Sequence, residues 1–165
     1  MLKKLSAFSD RCQLSLHNKK IKVQRYAVVH VVLVKAINLA KLNTDGKSSD
    51  PYCELSLGRE KVKSKMISKS IDPIWTKAFD FNWYKGFHDM LRIEMFNKNY
   101  LDLPFDDHMG DVEYDLNELP LERTHHIWKK LQNGEGNIFI LLTISGTTSD
   151  DSITNLSVAE DRLER

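Results

Sequence analysis

Two polar loops rich in acids are the first places in this 165-residue chain where side chains could do chemistry. One runs Asn43-Thr44-Asp45-Gly46-Lys47-Ser48-Ser49-Asp50-Pro51, and the other, residues 97–108, holds Asp102, Asp106 and Asp107. Carboxylates gathered on loops suit calcium, a hard cation that takes several oxygen ligands in a flexible geometry. Asp and Asn also populate turns because they bond their own backbone and tolerate left-handed conformations, so the loops alone leave both readings open. An EF-hand is excluded. Aligning Asn43-x-Asp45-Gly46 with the middle of its loop places Lys41 at the first ligand position and Tyr52 at the last, where a carboxylate is needed.

Two further groups suit binding. Lys61, Lys63 and Lys65 alternate, so on a strand they share one face, and Arg59 extends the line. That row fits an anionic surface, although the solvated side of a hairpin has the same composition. Tyr100, Leu101, Leu103, Pro104 and Phe105 put apolar side chains at the tip of the second acidic loop. Such a tip can enter the headgroup boundary of a membrane or fold back over the end of the domain. Trp75, Trp83 and Trp128 are expected in the core. Catalysis finds no support: there is no Gly-x-Ser-x-Gly elbow, no Walker-type glycine loop and no His-Glu-x-x-His. His125 and His126 are adjacent and on a strand would face opposite ways. Cys12 and Cys53 form no metal-binding spacing, which fits a reducing compartment.

The elements that must position these groups are short strands. β-Branched residues dominate residues 26–39, and period-two alternation marks 52–57, 60–66, 77–83, 90–96 and 109–114. Residues 115–119 read as a turn or one helical turn, and 125–131 and 136–144 as two more strands around Asn133-Gly134-Glu135. No helix-length amphipathic segment separates the strands, so the fold class is all-β, an eight-stranded antiparallel sandwich. In a sandwich the loops cluster at two ends, so the two acidic loops can share one. The domain spans residues 26–145, between a basic lead-in at 1–25, with a local pairing expected at residues 12–16, and a polar tail at 146–165. The longest apolar run, residues 27–34, is far shorter than the ~20 residues of a spanning helix.

A formal net charge of +1 excludes a uniformly basic nucleic-acid binder but conceals an uneven distribution. Residues 1–25 carry seven bases and one acid, whereas residues 99–122 carry eight acids and no Lys or Arg.

Asp45-Gly46-Lys47-Ser48-Ser49-Asp50-Pro51-Tyr52, Lys61-Val62-Lys63-Ser64-Lys65, Asp72-Pro73-Ile74-Trp75 with Phe79 and Phe81, and Asp107-His108-Met109-Gly110 occur in the order of C2 domain signatures. The chain resembles that family, most closely a middle domain of the multiple C2 and transmembrane domain proteins, through residues 61–69, Asp80-Phe81 and Leu156-Ser157-Val158. The resemblance implies type II topology, with loop 1 after the first strand and loop 3 after the fifth. It implies docking to anionic phospholipid membranes, often through calcium, from the cytoplasmic side of a parent protein anchored in an internal membrane. It places the lysine strand on a concave basic lipid-binding surface, with Lys77 as a neighbour. The calcium ligands it implies are Asp45, Asp50, Asn97, Asn99 and Asp107. Only three of these are carboxylates, Thr44 stands where the first loop-1 Asp is expected, and Lys98 lies between the two Asn. Affinity follows ligand charge, so the expectation is a low-affinity or absent calcium site, with Asp102 or Asp106 as substitutes. The alternative is a spacer or protein-interaction domain that contacts a protein partner or neighbouring C2 domains.

Overall fold

Alternation along the first strand sends Ala27, Val29, Val31 and Leu33 fully out of solvent, and the remaining strands follow the same rule. The structure, a computed structural model, describes residues 26–99 and 105–146. Its strands are β1 (Ala27–Ile37), β2 (Pro51–Leu57), β3 (Glu60–Lys63), β4 (Ile74–Trp83), β5 (Met90–Asn97), β6 (Asp107–Asp115), β7 (Thr124–Lys130) and β8 (Asn137–Gly146), with a 3₁₀ turn at Leu116–Glu118. Sheet A has the order β4-β1-β8-β7 and sheet B the order β3-β2-β5-β6, with every pairing antiparallel. This is the expected eight-stranded sandwich, with loop 1 leaving β1 and loop 3 leaving β5.

The core lies between the sheets. Trp83, Phe81, Leu55, Leu91, Ile93, Met95, Ile138, Ile140 and Leu142 are fully buried there, each such side chain contributing about 1.5–3 kcal/mol. A bulge between Leu33 and Lys35 shifts the register against both neighbours of β1. The extra residue lets Leu33 and Ala36 both face the core while Lys35 faces out.

Loop 1, the β3–β4 loop, loop 3 and the β7–β8 turn meet at one end of the sandwich. Backbone bonds tie them together: Ile67 N–H to Pro51 O at 3.0 Å, Ser70 N–H to Ser49 O at 2.8 Å, Leu39 N–H to Ile71 O at 3.0 Å and Lys98 N–H to Asp50 O at 3.0 Å. A bridge between Asp111 and Gln132 clips β6 to the β7–β8 turn across the gap between the sheets.

Several sequence expectations shift. β3 stops at Lys63 rather than residue 66: the Ser64 hydroxyl accepts the Cys53 N–H at 2.9 Å and the Trp75 indole donates to the Lys65 carbonyl at 2.8 Å, so Lys65 lies past the strand. β4 begins three residues early, at Ile74, which pairs with Lys35. Trp83 is in the core and Trp75 half-buried, but Trp128 is 49% exposed on the outer face of sheet A, because β7 is an edge strand whose even-numbered positions face solvent. The expected pairing at residues 12–16, the lead-in and the tail lie outside the described residues.

Glycine at 134 is required by packing. A Cβ there would collide with the Met109 carbonyl oxygen, whereas at Gly46, with φ of 63°, nothing lies within 4 Å. Gly134→Ala is expected to cost about 3 kcal/mol in denaturant unfolding. Gly46→Ala is expected to cost about 1 kcal/mol, from backbone strain alone.

Candidate functional site

At the loop end a cleft of about 320 Å³ opens between loop 1 and loop 3, and all five residues implied as calcium ligands line it: Asp45, Asp50, Asn97, Asn99 and Asp107. Asp50 precedes β2, Asn97 ends β5 and Asp107 opens β6, so the sandwich brings together acids and amides far apart in sequence.

Their hydrogen bonds are turned inward. The backbone N–H of Asp50 donates to Asn97 Oδ1 at 2.6 Å. A backbone N–H can only donate, so the amide oxygen of Asn97 must face it, and the amide nitrogen then points at Asp107 Oδ2, 3.4 Å away. The buried Asp50 carboxylate accepts from Lys69 N–H at 2.6 Å and Ser68 Oγ at 3.1 Å on one oxygen, and from Asn43 Nδ2 at 3.3 Å on the other. Asp45 accepts from Lys47 N–H at 2.8 Å, Ser48 N–H at 2.9 Å and Ser48 Oγ at 2.6 Å. The Ser48 hydroxyl, then these two backbone donors, hold its carboxyl below the ordinary aspartate range.

Of the two expected substitutes, Asp102 lies outside the described residues and Asp106 turns away from the cleft. Its carboxylate accepts from Tyr52 Oη at 2.8 Å, Asn99 N–H at 3.0 Å and Lys98 Nζ at 3.3 Å. Burial pushes its pKa up, but the Asn99, Tyr52 and Lys98 donors prevail and the net direction is down. Tyr52 is pushed up by burial and by the same Asp106 contact.

This donor set does not fit a dedicated calcium site. Among the described residues no three His, Cys, Asp or Glu side chains gather as a metal cluster. Asn97 offers the cleft an N–H₂ in place of an oxygen, and Lys69 adds positive charge to its lining, while the Lys98 ammonium is engaged by Asp106. Lys69 is not legible in the sequence, because its partner is Asp50, nineteen residues away.

The lysine row is only partly a basic face. Lys61 and Lys63 flank Glu54 of β2, at 3.6 and 2.6 Å, and Lys63 also lies 5.6 Å from the centre of the Tyr52 ring. The acidic pattern continues across sheet B, where Arg92 pairs with Glu94, Asp111 and Glu113 at 3.5, 3.9 and 3.6 Å. Arg59 lies exposed in the β2–β3 turn and Lys65 beyond the strand, while Lys77 belongs to β4 of the other sheet, paired with Leu33. At the loop 3 tip Phe105 is 80% exposed; Tyr100, Leu101, Leu103 and Pro104 lie outside the described residues.

With this fold and loop geometry established, the sequence profile of the C2 domain matches residues 27–131. The chain belongs to the C2 domain family. It is 33% identical over 140 residues to the multiple C2 and transmembrane domain-containing protein 1 of Mus musculus, covering 84% of this chain and 14% of that protein. To the corresponding protein of Drosophila melanogaster it is 32% identical over 155 residues, covering 93% of this chain and 16% of that protein. The chain thus spans about one seventh of the length of these relatives. Among solved structures, a C2 domain of plant Extended Synaptotagmin 1 superposes with a TM-score of 0.68 at 19% identity, covering 76% of this chain and 99% of that one. A calcium-bound structure of a pair of C2 domains from Extended-Synaptotagmin 2 gives 0.67 at 24% identity, covering 73% of this chain and 46% of that one. Both show the fold. Calcium and phospholipid binding are typical of C2 homologues.

If Asp50 serves as a brace, removing it must cost stability. Asp50→Ala is expected to lose about 2–3 kcal/mol in denaturant unfolding, with Asp45→Ala far milder. A purely metal-binding Asp in metal-free protein would give the opposite sign, since its removal relieves repulsion. Asp106 has a folded pKa below its ordinary value of 3.8, so its contribution is fully present above that value and is lost as pH falls through the folded pKa. Thermal melts between pH 5 and pH 2 should therefore fall more steeply for the native chain than for Asp106→Asn.

Proposed function

We propose that this C2 domain is a peripheral phospholipid-binding module that docks on anionic membrane with little or no calcium dependence. The observation that carries the reading is the Asn97 amide, whose oxygen is committed to Asp50 N–H while its nitrogen faces Asp107. A cation entering the cleft would have to displace protein donors from Asp50 and Asp45 and would meet Lys69. Any calcium at Asp45, Asp50, Asn97, Asn99 and Asp107 is thus held at low affinity.

Affinity for lipid comes instead from Arg59, Lys61, Lys63, Lys65 and Lys77 and from the tip residues Tyr100, Leu101, Leu103 and Phe105. A base near an anionic leaflet contributes about 1 kcal/mol. Glu54 offsets one charge of the Lys61–Lys63 pair, so those two together supply about as much as one free lysine. That offset also favours a second reading, in which the mixed-charge face of sheet B meets a protein partner or a neighbouring C2 domain. The domain is a binding module, not an enzyme. The names of its relatives suggest that it works beside the membrane in which a parent protein is anchored.

Co-sedimentation with phosphatidylserine/phosphatidylcholine vesicles at low salt tests this. The same bound fraction is expected in millimolar calcium and in chelator, and an affinity gain of about tenfold with calcium would overturn the calcium-independent reading. No binding under either condition removes lipid docking and leaves the protein-interaction reading. Lys61→Glu with Lys63→Glu should weaken vesicle binding by several-fold.

A further inference from the structure

Cross-strand rows on the outer face of sheet A change character along the strands. Register places Lys130, Asn137 and Ile37 in the row nearest the loop end. Next come Trp128, Phe139, Lys35 and Ile74, then His126, Leu141, Val32 and Ala78. Only the fourth row is fully polar: Thr124 and Thr143 share a hydrogen bond of 2.8 Å, and His30 Nδ1 lies 2.7 Å from Asp80 Oδ1. The first three rows contain two lysines and no acid. On the face itself the bordering acid is Asp80 of the fourth row, engaged by His30, and in the flanking loops stand Glu135 of the β7–β8 turn and Asp72, which accepts the Asn38 N–H at 2.7 Å.

Two of the apolar members are open to solvent, and Val32, Ile37, Phe139 and Leu141 beside them are half-buried. Ile74 is 64% and Trp128 49% exposed, on a face where a solvated sheet ordinarily shows polar side chains. Trp128 stacks on Phe139 with centroids 4.8 Å apart, and Lys35 Nζ stands 5.6 Å from the centre of the Trp128 ring. The bulge in β1 creates this arrangement, since it sets Lys35 opposite Phe139. Aromatic rings with a polar edge, set beside lysines, suit the level where acyl chains give way to headgroups.

We propose that the loop-end half of this face is a lipid-contact surface that lies on anionic membrane, with Trp128 and Ile74 as its apolar anchors and Lys35 and Lys130 meeting the headgroups. The proposal rests on the membrane-docking reading above and assigns it a face distinct from the lysine strand. Charge selects this occupant over a second copy, because a two-fold pairing through the face would bring its lysines against one another with no acid between them. The Thr124–Thr143 and His30–Asp80 pairs mark where contact ends. The first two rows lie about 7 Å apart along the strands, a depth compatible with the interfacial zone.

The test uses vesicles of brominated phosphatidylcholine with phosphatidylserine. Tryptophan fluorescence of the bound native chain should be quenched, and the quenching should be lost in Trp128→Ser, leaving the buried Trp83 and the core-packed Trp75 bright. Trp128→Ser, Ile74→Ser and Lys35→Gln should each lower vesicle affinity, the first by about tenfold, with melting temperatures near native because Trp128 and Ile74 are exposed and Lys35 lies outside the core. If the native chain binds but is not quenched, and the three variants bind equally well, the face is not a lipid contact while membrane docking stands. If the native chain binds no vesicle, both readings fall. If it sediments as a dimer that Trp128→Ser dissociates, the face joins two copies and the proposal is overturned.

Discussion

A single hydrogen bond, from the backbone N–H of Asp50 to the side-chain oxygen of Asn97, decides what the loop end of this domain can be. It joins the start of β2 to the end of β5 at 2.6 Å, both partners are buried, and the next backbone bond, Lys98 N–H to Asp50 O, closes the same junction. Once the Asn97 oxygen is used this way, its amide nitrogen must face Asp107. The Asp50 carboxylate reaches the other way, to Ser68 and Lys69 of the β3–β4 loop and to Asn43 of loop 1. Three loops are thereby anchored to one residue. A cluster of acids awaiting a cation must tolerate mutual repulsion when empty. Here two of the five positions are amides, and the three acids already accept protein donors, so the cleft holds its arrangement through ordinary hydrogen bonds.

The same economy of charge governs the two sheet faces, with opposite results. On sheet B, cross-strand neighbours alternate in sign, so Lys61, Lys63 and Arg92 each have an acid within 4 Å. Exposed pairs of this kind contribute little stability, and their main effect is to reduce the field the face projects. On sheet A the bases near the loop end have no acidic neighbour in their rows, and Lys35 leans over an indole. A cation over a ring keeps its charge available to an anion, whereas a cation beside a carboxylate does not. The face with fewer lysines is therefore the one whose lysines near the loop end are not paired with acids in their rows.

Much of the fold was legible because core strands alternate: residues 26–39, 52–57 and 90–96 mark β1, β2 and β5 to within one or two residues. The lysine row was legible too. Its pairing with Glu54 could have been counted, since the two-residue turn at Gly58-Arg59 sets Leu57 opposite Glu60 and therefore Glu54 opposite Lys63. The bulge at Leu33/Lys35 was not legible, because an almost continuous apolar run hides a slip in period. Trp128 was misplaced for a related reason. Alternation separates two faces but cannot say which is covered, and that depends on β7 being an edge strand of sheet A. At the cleft, the residue types were readable but their hydrogen bonds were not. The Asp50–Asn97 contact spans 47 positions, and whether an Asn offers its oxygen or its nitrogen depends on what the fold places beside it.

The internal bracing of the cleft and the exposure of the sheet A face bear on each other. A domain that docks through a bound cation can leave its remaining surface polar, because the ion concentrates attraction at one point. Without that ion, several small contributions must be spread over a surface large enough to sum them, and they must come from positions that stay fixed. Side chains on paired strands satisfy this better than a loop tip, since ordering them on contact costs little beyond rotamer freedom. Trp128, Phe139, Lys35 and Ile74 lie on four different strands of one sheet, in a single cross-strand row held by backbone hydrogen bonds. In the proposed reading, a cleft braced by its own hydrogen bonds and a pre-ordered apolar row on sheet A are thus complementary: the first lessens the part a cation has to play, and the second offers contact area in its place.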